Sequence, residues 1–384
     1  MFSRRTLLSR AALGGAAFLV APGLAVAAAA SDRRFIFVIQ RGAADGLATI
    51  MPTGDTDLAR LRAPLIAQGG LTLDAMFTAH PSLVEIGGLY QRREALFAHA
   101  VASPYRDRSH FDAQNVLETG GAAAYRLQDG WLNRLLTLLP KSQAGAVALS
   151  ATIPVALRGA AAVTSYAASN LPDARDDLKT RIARLYDRDP QLHALWETAQ
   201  ATEVMAGDPA AGGAKRDPQA IGALAAKMLT GPGSARVAMI ETLGWDTHFA
   251  QVGRLTNELK NLDALVAALR AGLGNDWGRT LVLIATEFGR TAAINGTGGT
   301  DHGTGSVAML IGGAVQGGRV VADWPGLAPA RLYENRDLKA TLALDQLIAV
   351  AVAEHYGLDP ARVSAVLFPQ GLGGGAPVSG LIRS

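Results

Sequence analysis

Short apolar runs separated by polar, glycine-rich loops set the rhythm of this chain. Residues 281–285 (LVLIA) end in Thr286-Glu287; a Gly/Thr/Asn-rich loop carrying Asp301-His302 follows, and a second apolar run, 306–311, closes the stretch. Each run is short and bounded by turn residues, the pattern of buried parallel strands. Polar groups at the carboxyl ends of such strands sit where open α/β sheets bind ligands. Residues 34–39 (RFIFVI), 94–101 and 236–242 repeat the strand pattern. Between them the spacing predicts helices: one opening at Pro81, one through Gln114 to Glu118, one over 131–139, a long one over 249–273 and one over 345–356. On the long helix Lys260, Asp263 and Arg270 are expected in solvent. Segments 146–149 and 152–157 read as extended, and 318–322 as a short strand. Residues 176–204 read as polar helix and 206–218 as a flexible connector. The expected fold class is α/β: a mostly parallel central sheet with helices on both faces, and a helical insertion at about 170–230 inside one domain covering 28–384.

Composition changes the picture at the amino end. Ser3-Arg4-Arg5 precedes an apolar Ala/Gly/Leu segment and then Ala25-Val26-Ala27. A charged start, an apolar middle and a small-residue cleavage site make residues 1–27 an expected signal peptide, and the paired arginines make it twin-arginine in type. That predicts passage through the twin-arginine translocase, a periplasmic or extracellular location, and no stable membrane span after cleavage. The 36 Lys+Arg against 33 Asp+Glu include Arg4, Arg5 and Arg10, so the chain from residue 28 onward is balanced. The sequence pI of 9.2 is therefore no nucleic-acid signal. With no cysteine, thiol nucleophiles and Cys-ligated zinc are excluded.

Candidate chemistry lies at the strand ends. Asp45 follows the first strand in a loop, Arg41-Gly42-Ala43-Ala44-Asp45-Gly46, where a turn role and a ligand role are equally open. Ser109 opens a helix between Arg108 and His110. It is either an N-cap or a nucleophile beside guanidinium groups of Arg106 and Arg108 that suit an anion. His110 can be a ligand, a base or only a polar first-turn residue. Asp246 and His248 are two apart in an extended segment and can face one ion together. His355, late on its helix, reads as a surface or capping residue.

Together RGAADGL, SRSHFDAQ, GWDTHFAQ, TEFGRT and GTDHG, with the leader, resemble the exported family called domain of unknown function 1501. That family is placed with the alkaline-phosphatase-like superfamily, beside sulfatases, so the resemblance implies that superfamily's fold. It implies Asp45 as the first-strand Asp, Ser109 as nucleophile, Asp246 and His248 as an Asp/His pair, Glu287 at the strand-terminal position and His302 as the final His. Asp301-His302 is an alternative match to the strand-terminal pair. Phe288 stands where a further His ligand would follow, and the nearest polar replacement is Arg290. The metal ligands so implied are Asp45, Asp246, His248, Glu287, Asp301 and His302. Ser109, Arg108 and Arg290 are the implied catalytic residues.

Carboxylates with imidazoles favour zinc, manganese or magnesium, one ion or two. The expected function is an exported metal-dependent hydrolase of phosphate or sulfate esters, taking an anionic ester and no nucleic acid. The alternative is a catalytically inactive metal- or anion-binding envelope protein of the same fold.

Overall fold

Arg34–Gln40 and Thr280–Thr286 are buried along their whole length, so neither can lie at a sheet edge. The computed structural model describes residues 32–140, 145–167, 176–186, 189, 192–197, 199–200, 217–231 and 233–383. The expected leader, nearly all of the connector and parts of the polar helical region lie outside the described residues.

Nine strands make the main sheet. They are β1 (Arg34–Gln40), β2 (Ala95–Ala102), β3 (Ala146–Leu149), β4 (Thr164–Ser165), β5 (Val237–Thr242), β6 (Thr280–Thr286), β7 (Ser306–Ile311), β8 (Arg319–Val321) and β9 (Leu342–Ala343). The order is β8-β2-β7-β6-β1-β5-β3-β4, with β9 also on β2. β1 pairs in parallel with both β5 and β6, in register Phe37↔Met239 and Phe37↔Leu283. β7 runs against both of its neighbours. This corrects the expectation that 306–311 is parallel. No crossover helix separates it from β6, so the chain turns back and pairs directly, Leu310 opposite Leu283. One reversed strand brings the loop before β7 to the same sheet end as the loops after β1, β2, β5 and β6.

Helices cover both faces: α1 (Val84–Gln91), α2 (His110–Thr119), α3 (Trp131–Leu138), α4 (Pro218–Leu229), α5 (Gln251–Leu273), α6 (Leu344–Tyr356) and α7 (Pro360–Leu367). Phe35 and Phe37 face one side and meet Trp131 edge-on, above α3, α6 and α7. Ile36 and Val38 face the other side, with Leu255, Leu259 and Leu262 of α5. Period-2 alternation on a fully buried strand thus feeds two cores.

Several local expectations shift. α1 starts at Val84, three residues after Pro81, because Asp263 of α5 accepts the Glu85 and Ile86 amides at 3.0 and 2.9 Å. Asp263 therefore caps a neighbouring helix instead of facing water, as carboxylates do at helix N-termini. Arg270 pairs with Glu85 at 3.2 Å. Residues 155–157 form a short 3-10 turn instead of an extended run. α4, expected within the insertion, belongs to the core: Ala225, Ala226 and Leu229 are wholly buried. His355 is also wholly buried, with Nε2 3.0 Å from the Arg34 carbonyl, and burial pushes its pKa down to about 3. It supports the sheet from beneath and is no surface residue. No helix of the described residues is long and apolar enough to cross a membrane.

Candidate metal centre

Three imidazoles meet at the carboxyl end of the sheet. His110 opens α2, after the loop that follows β2; His248 follows β5; His302 precedes β7. His110 Nε2 and His248 Nε2 each lie 2.9 Å from His302 Nε2. Asp246 completes the group, with Oδ1 3.0 Å from His248 Nε2 and 3.3 Å from His302 Nε2, and Oδ2 3.7 Å from His110 Nε2. His110, Asp246 and His302 each offer a donor atom within 4.8 Å of the others. His248 joins through its close approaches to His302 and Asp246.

The outer nitrogens decide what the inner ones can do. His110 Nδ1 lies 2.8 Å from Glu287 Oε1, His248 Nδ1 3.3 Å from Asp301 Oδ1 and His302 Nδ1 3.0 Å from the Arg108 carbonyl. Carbonyls and ionised carboxylates can only accept, so each ring carries its proton on Nδ1. Each Nε2 then presents a lone pair to the others. Lone pairs 2.9 Å apart repel unless a cation lies between them. Two imidazoles on one ion, with bonds of about 2.0–2.1 Å, hold their nitrogens roughly 3 Å apart. The donor set fits a divalent ion, and carboxylate or carbonyl oxygens behind ligating histidines are the usual support.

Charge is arranged to suit. Burial pushes the Glu287 carboxyl up, but hydrogen bonds from His110, Gln114 and the Gly42 amide pull harder and leave it below the usual range. For Asp246 too, burial is outweighed, here by the Arg290 guanidinium. The Asn295 amide, ahead of His248, lowers Asp301. Burial, then His110 and Arg290, lowers the His302 pKa.

The backbone around the cluster is tightly specified. A Cβ on Gly42, where φ is +117°, would lie 2.6 Å from the Asp246 amide nitrogen. A Cβ on Gly299 would lie 2.3 Å from the His248 carbonyl carbon and oxygen. Only glycine permits these approaches. Arg108 is left-handed, φ 62°, and so turns its carbonyl toward His302.

The expected site residues divide. The structure brings Asp246, His248 and His302 together. Glu287 and Asp301, expected as ligands, stand one residue further out, behind His110 and His248. Glu287 is wholly buried with its oxygens committed, so it orients an imidazole instead of facing the cluster. Asp45 is displaced altogether. Its carboxylate takes Arg62 Nη1 at 2.9 and 3.0 Å, Gln251 Nε2 at 2.6 Å and the Ala48 amide at 3.1 Å, and it is 1% exposed. It is a buried cap and ion pair with no free oxygen to offer.

The expected catalytic groups are also differently employed. Arg108 binds Asp337 at 2.8 Å and also Glu334. Arg290 is buried and donates to the carbonyls of Ala43, Thr300, Gly42 and Trp245 and to Asp246, so it ties together the loops after β1 and β5. Ser109 is the N-cap residue, yet its side chain makes no capping bond. Its amide donates to the Tyr105 hydroxyl oxygen at 3.3 Å, and its hydroxyl also bonds that phenol. The next residue, His110, is the one that enters the cluster. Phe288, where a further histidine was sought, stacks on His110 with centroids 5.0 Å apart. His110 thus fills the vacancy from another element, and Gln114, one turn on, joins it on Glu287. Their i, i+4 spacing was the available signal.

No curated protein matches the sequence. Among solved structures, the crystal structure of the C-terminal periplasmic domain of EcEptC from Escherichia coli, in complex with Zn, is similar over 74% of this chain and 74% of its own, at 9% identity and a TM-score of 0.35. A profile described as "Protein of unknown function (DUF1501)" matches residues 92–366, a span that takes in all four residues of the cluster and both carboxylates behind it. The match covers well over half of the chain, which therefore belongs to the DUF1501 family.

Proposed function

We propose that this protein is an exported metal-dependent hydrolase of phosphate or sulfate esters, built around one divalent ion. The observation that carries this reading is the convergence of three Nε2 lone pairs, each ring fixed by an acceptor on Nδ1. Three imidazoles and one carboxylate favour zinc over magnesium. When bound, such an ion supplies Lewis acidity and lowers the pKa of water. The chain's own part is to hold His110 through Glu287, His248 through Asp301 and His302 through the Arg108 carbonyl. Asp246 and His248 remain solvent-accessible, so a substrate can approach from their side. With Asp45 committed to Arg62, the described residues gather one such donor group, and one ion per chain is the stoichiometry this reading expects.

A second reading is a binding protein without turnover. It is favoured by the engagement of Arg108 and Arg290, which leaves neither guanidinium free to clamp an anion. The export assignment rests on Ser3-Arg4-Arg5 ahead of the apolar segment. Replacing both arginines by lysine is expected to stop export through the twin-arginine translocase, and undiminished delivery overturns that assignment. For the metal and the activity, protein lacking residues 1–27 is stripped with chelator, titrated with zinc and assayed on aryl phosphate and aryl sulfate. One equivalent with turnover supports the hydrolase. One equivalent without turnover on any anionic ester supports the binding reading, and no tight equivalent removes both.

A further inference from the structure

A cavity of about 660 Å³ lies outside the metal centre, between the start of α1, the turn at 63–67 and α5; none of His110, Asp246, His248 and His302 lines it. Its volume suits a small organic ligand. Leu65, Ile66, Val84, Val252 and Leu255 give it an apolar wall. Val84 and Val252 are 75% and 57% exposed, apolar surface that an apolar occupant would take out of water.

Most polar groups of the wall are already committed. Gln251 Nε2 donates to Asp45 at 2.6 Å, and its Oε1 accepts the Thr247 and Thr300 hydroxyls at 3.1 and 2.7 Å. The Thr256 hydroxyl donates to the Val252 carbonyl at 2.6 Å. Asp263 accepts the two amides at the start of α1, and that helix end offsets its charge. His80, Ser82 and Lys260 are differently placed. The Ser82 amide donates to His80 Nδ1 at 3.1 Å, so the neutral ring carries its proton on Nε2. Burial lowers the His80 pKa, which keeps the ring neutral near pH 7. His80 is 7% exposed and lines the cavity, yet among the described residues its Nε2 has no acceptor. A donor so enclosed needs one. The Ser82 hydroxyl, on a residue 8% exposed, is likewise without a partner among the described residues, and none of their acids pairs with the Lys260 ammonium. No arginine lines the cavity, so the fork that grips phosphate or sulfate is missing. An imidazole N–H, a hydroxyl and one ammonium suit a single carboxylate.

We propose that this cavity is a second ligand site, for a small carboxylic acid with an apolar body. The carboxylate accepts the His80 Nε2 proton and the Ser82 hydroxyl and is held by the charge of Lys260, while the body lies on Leu65, Ile66, Val84, Val252 and Leu255. The site is independent of the metal reading, because no cluster residue reaches it.

The test titrates the chain lacking residues 1–27 with butanoate, octanoate and 1-octanol by calorimetry, with zinc and without. Octanoate is expected to bind one per chain, equally in both, and at least about tenfold tighter than butanoate, whose body is four methylenes shorter. 1-Octanol, lacking the charge, should bind more weakly than octanoate. Lys260→Met, at an exposed position, should weaken octanoate about threefold, and His80→Leu about tenfold or more. His80 is buried, so Ala264→Phe is the second variant: it fills the cavity from α5, and octanoate binding should disappear while the thermal unfolding transition is retained. Undiminished octanoate binding in a folded Ala264→Phe, or equal affinity for 1-octanol, overturns the inference. Octanoate binding that disappears with the zinc puts the carboxylate on the metal centre and overturns it too. If octanoate does not bind at all, the site is wrong and the metal reading stands untouched.

Discussion

Asp45 and Asp246 begin alike and end differently. Each follows the carboxyl end of a parallel strand, β1 or β5, and each is paired with an arginine. Asp45 is 1% exposed, and Arg62, Gln251 and the Ala48 amide use all of its acceptor capacity. The Asp246 side chain is 45% exposed; Arg290 shares Oδ1 with His248 and His302, and Oδ2 keeps room. The same residue beside the same cation is a structural pin when sealed and a candidate ligand when one face is open. The difference lies in what the partner is doing. Arg62 gives Nη1 to both oxygens of Asp45, whereas Arg290 reaches only Oδ1 of Asp246 and leaves Oδ2 to the cluster side.

Breaking the sealed pair should have the largest effect. Arg62→Met leaves a buried carboxylate without its counter-charge, which typically costs about 3–5 kcal/mol. Urea unfolding of the variant should show that loss, and a change below about 1 kcal/mol would mean that Asp45 is not the pin described. Asp246→Asn tests the open member. Its carboxylate is 45% exposed although Arg290 is buried, and Arg290 keeps its backbone acceptors, so stability should fall by less than in Arg62→Met. Zinc affinity, measured by competition with a chelating dye, should nevertheless drop by about 100-fold or more, since a ligand is lost rather than its support. A variant that binds zinc normally but unfolds easily would reverse the two roles.

Two smaller effects sharpen the same contrast between sealed and open carboxylates. Glu287→Gln keeps the shape but weakens the hold on His110, and zinc affinity should fall about 10–100-fold. Asp301 is more than half exposed and 3.3 Å from His248 Nδ1. Asp301→Asn should therefore sit at or below the lower end of that range, about tenfold. Equal losses in the two variants would show that burial of the supporting carboxylate does not matter.

The sheet was legible because its strands are buried on both faces and carry unbroken apolar runs, as in residues 34–39 and 281–285. Asp246 and His248 were legible from their spacing at a strand end. Three things were not. The direction of β7 depends on how the 287–305 loop returns, which no periodicity encodes. The choice between Ser109 and His110 depends on the angle at which α2 leaves its loop, set by the left-handed Arg108 and by Tyr105. The fate of Asp45 depends on Arg62, which reaches it through tertiary packing of a short polar helix. Polar helices give weak local signals, and their long-range ion pairs give none. Family resemblance pointed to Asp45 for the same reason that it passed over His110: it follows sequence order, and the cluster draws its third imidazole from another element.

X-ray absorption at the zinc edge of the stoichiometrically loaded chain lacking residues 1–27 is the most direct test of the central claim. The arrangement of His110, His248, His302 and Asp246 predicts one zinc per chain with three nitrogen ligands at about 2.0–2.1 Å and oxygen completing the set, and one imidazole fewer in His110→Ala. A spectrum without imidazole scattering, a second metal at close range, or an unchanged spectrum in His110→Ala would contradict it.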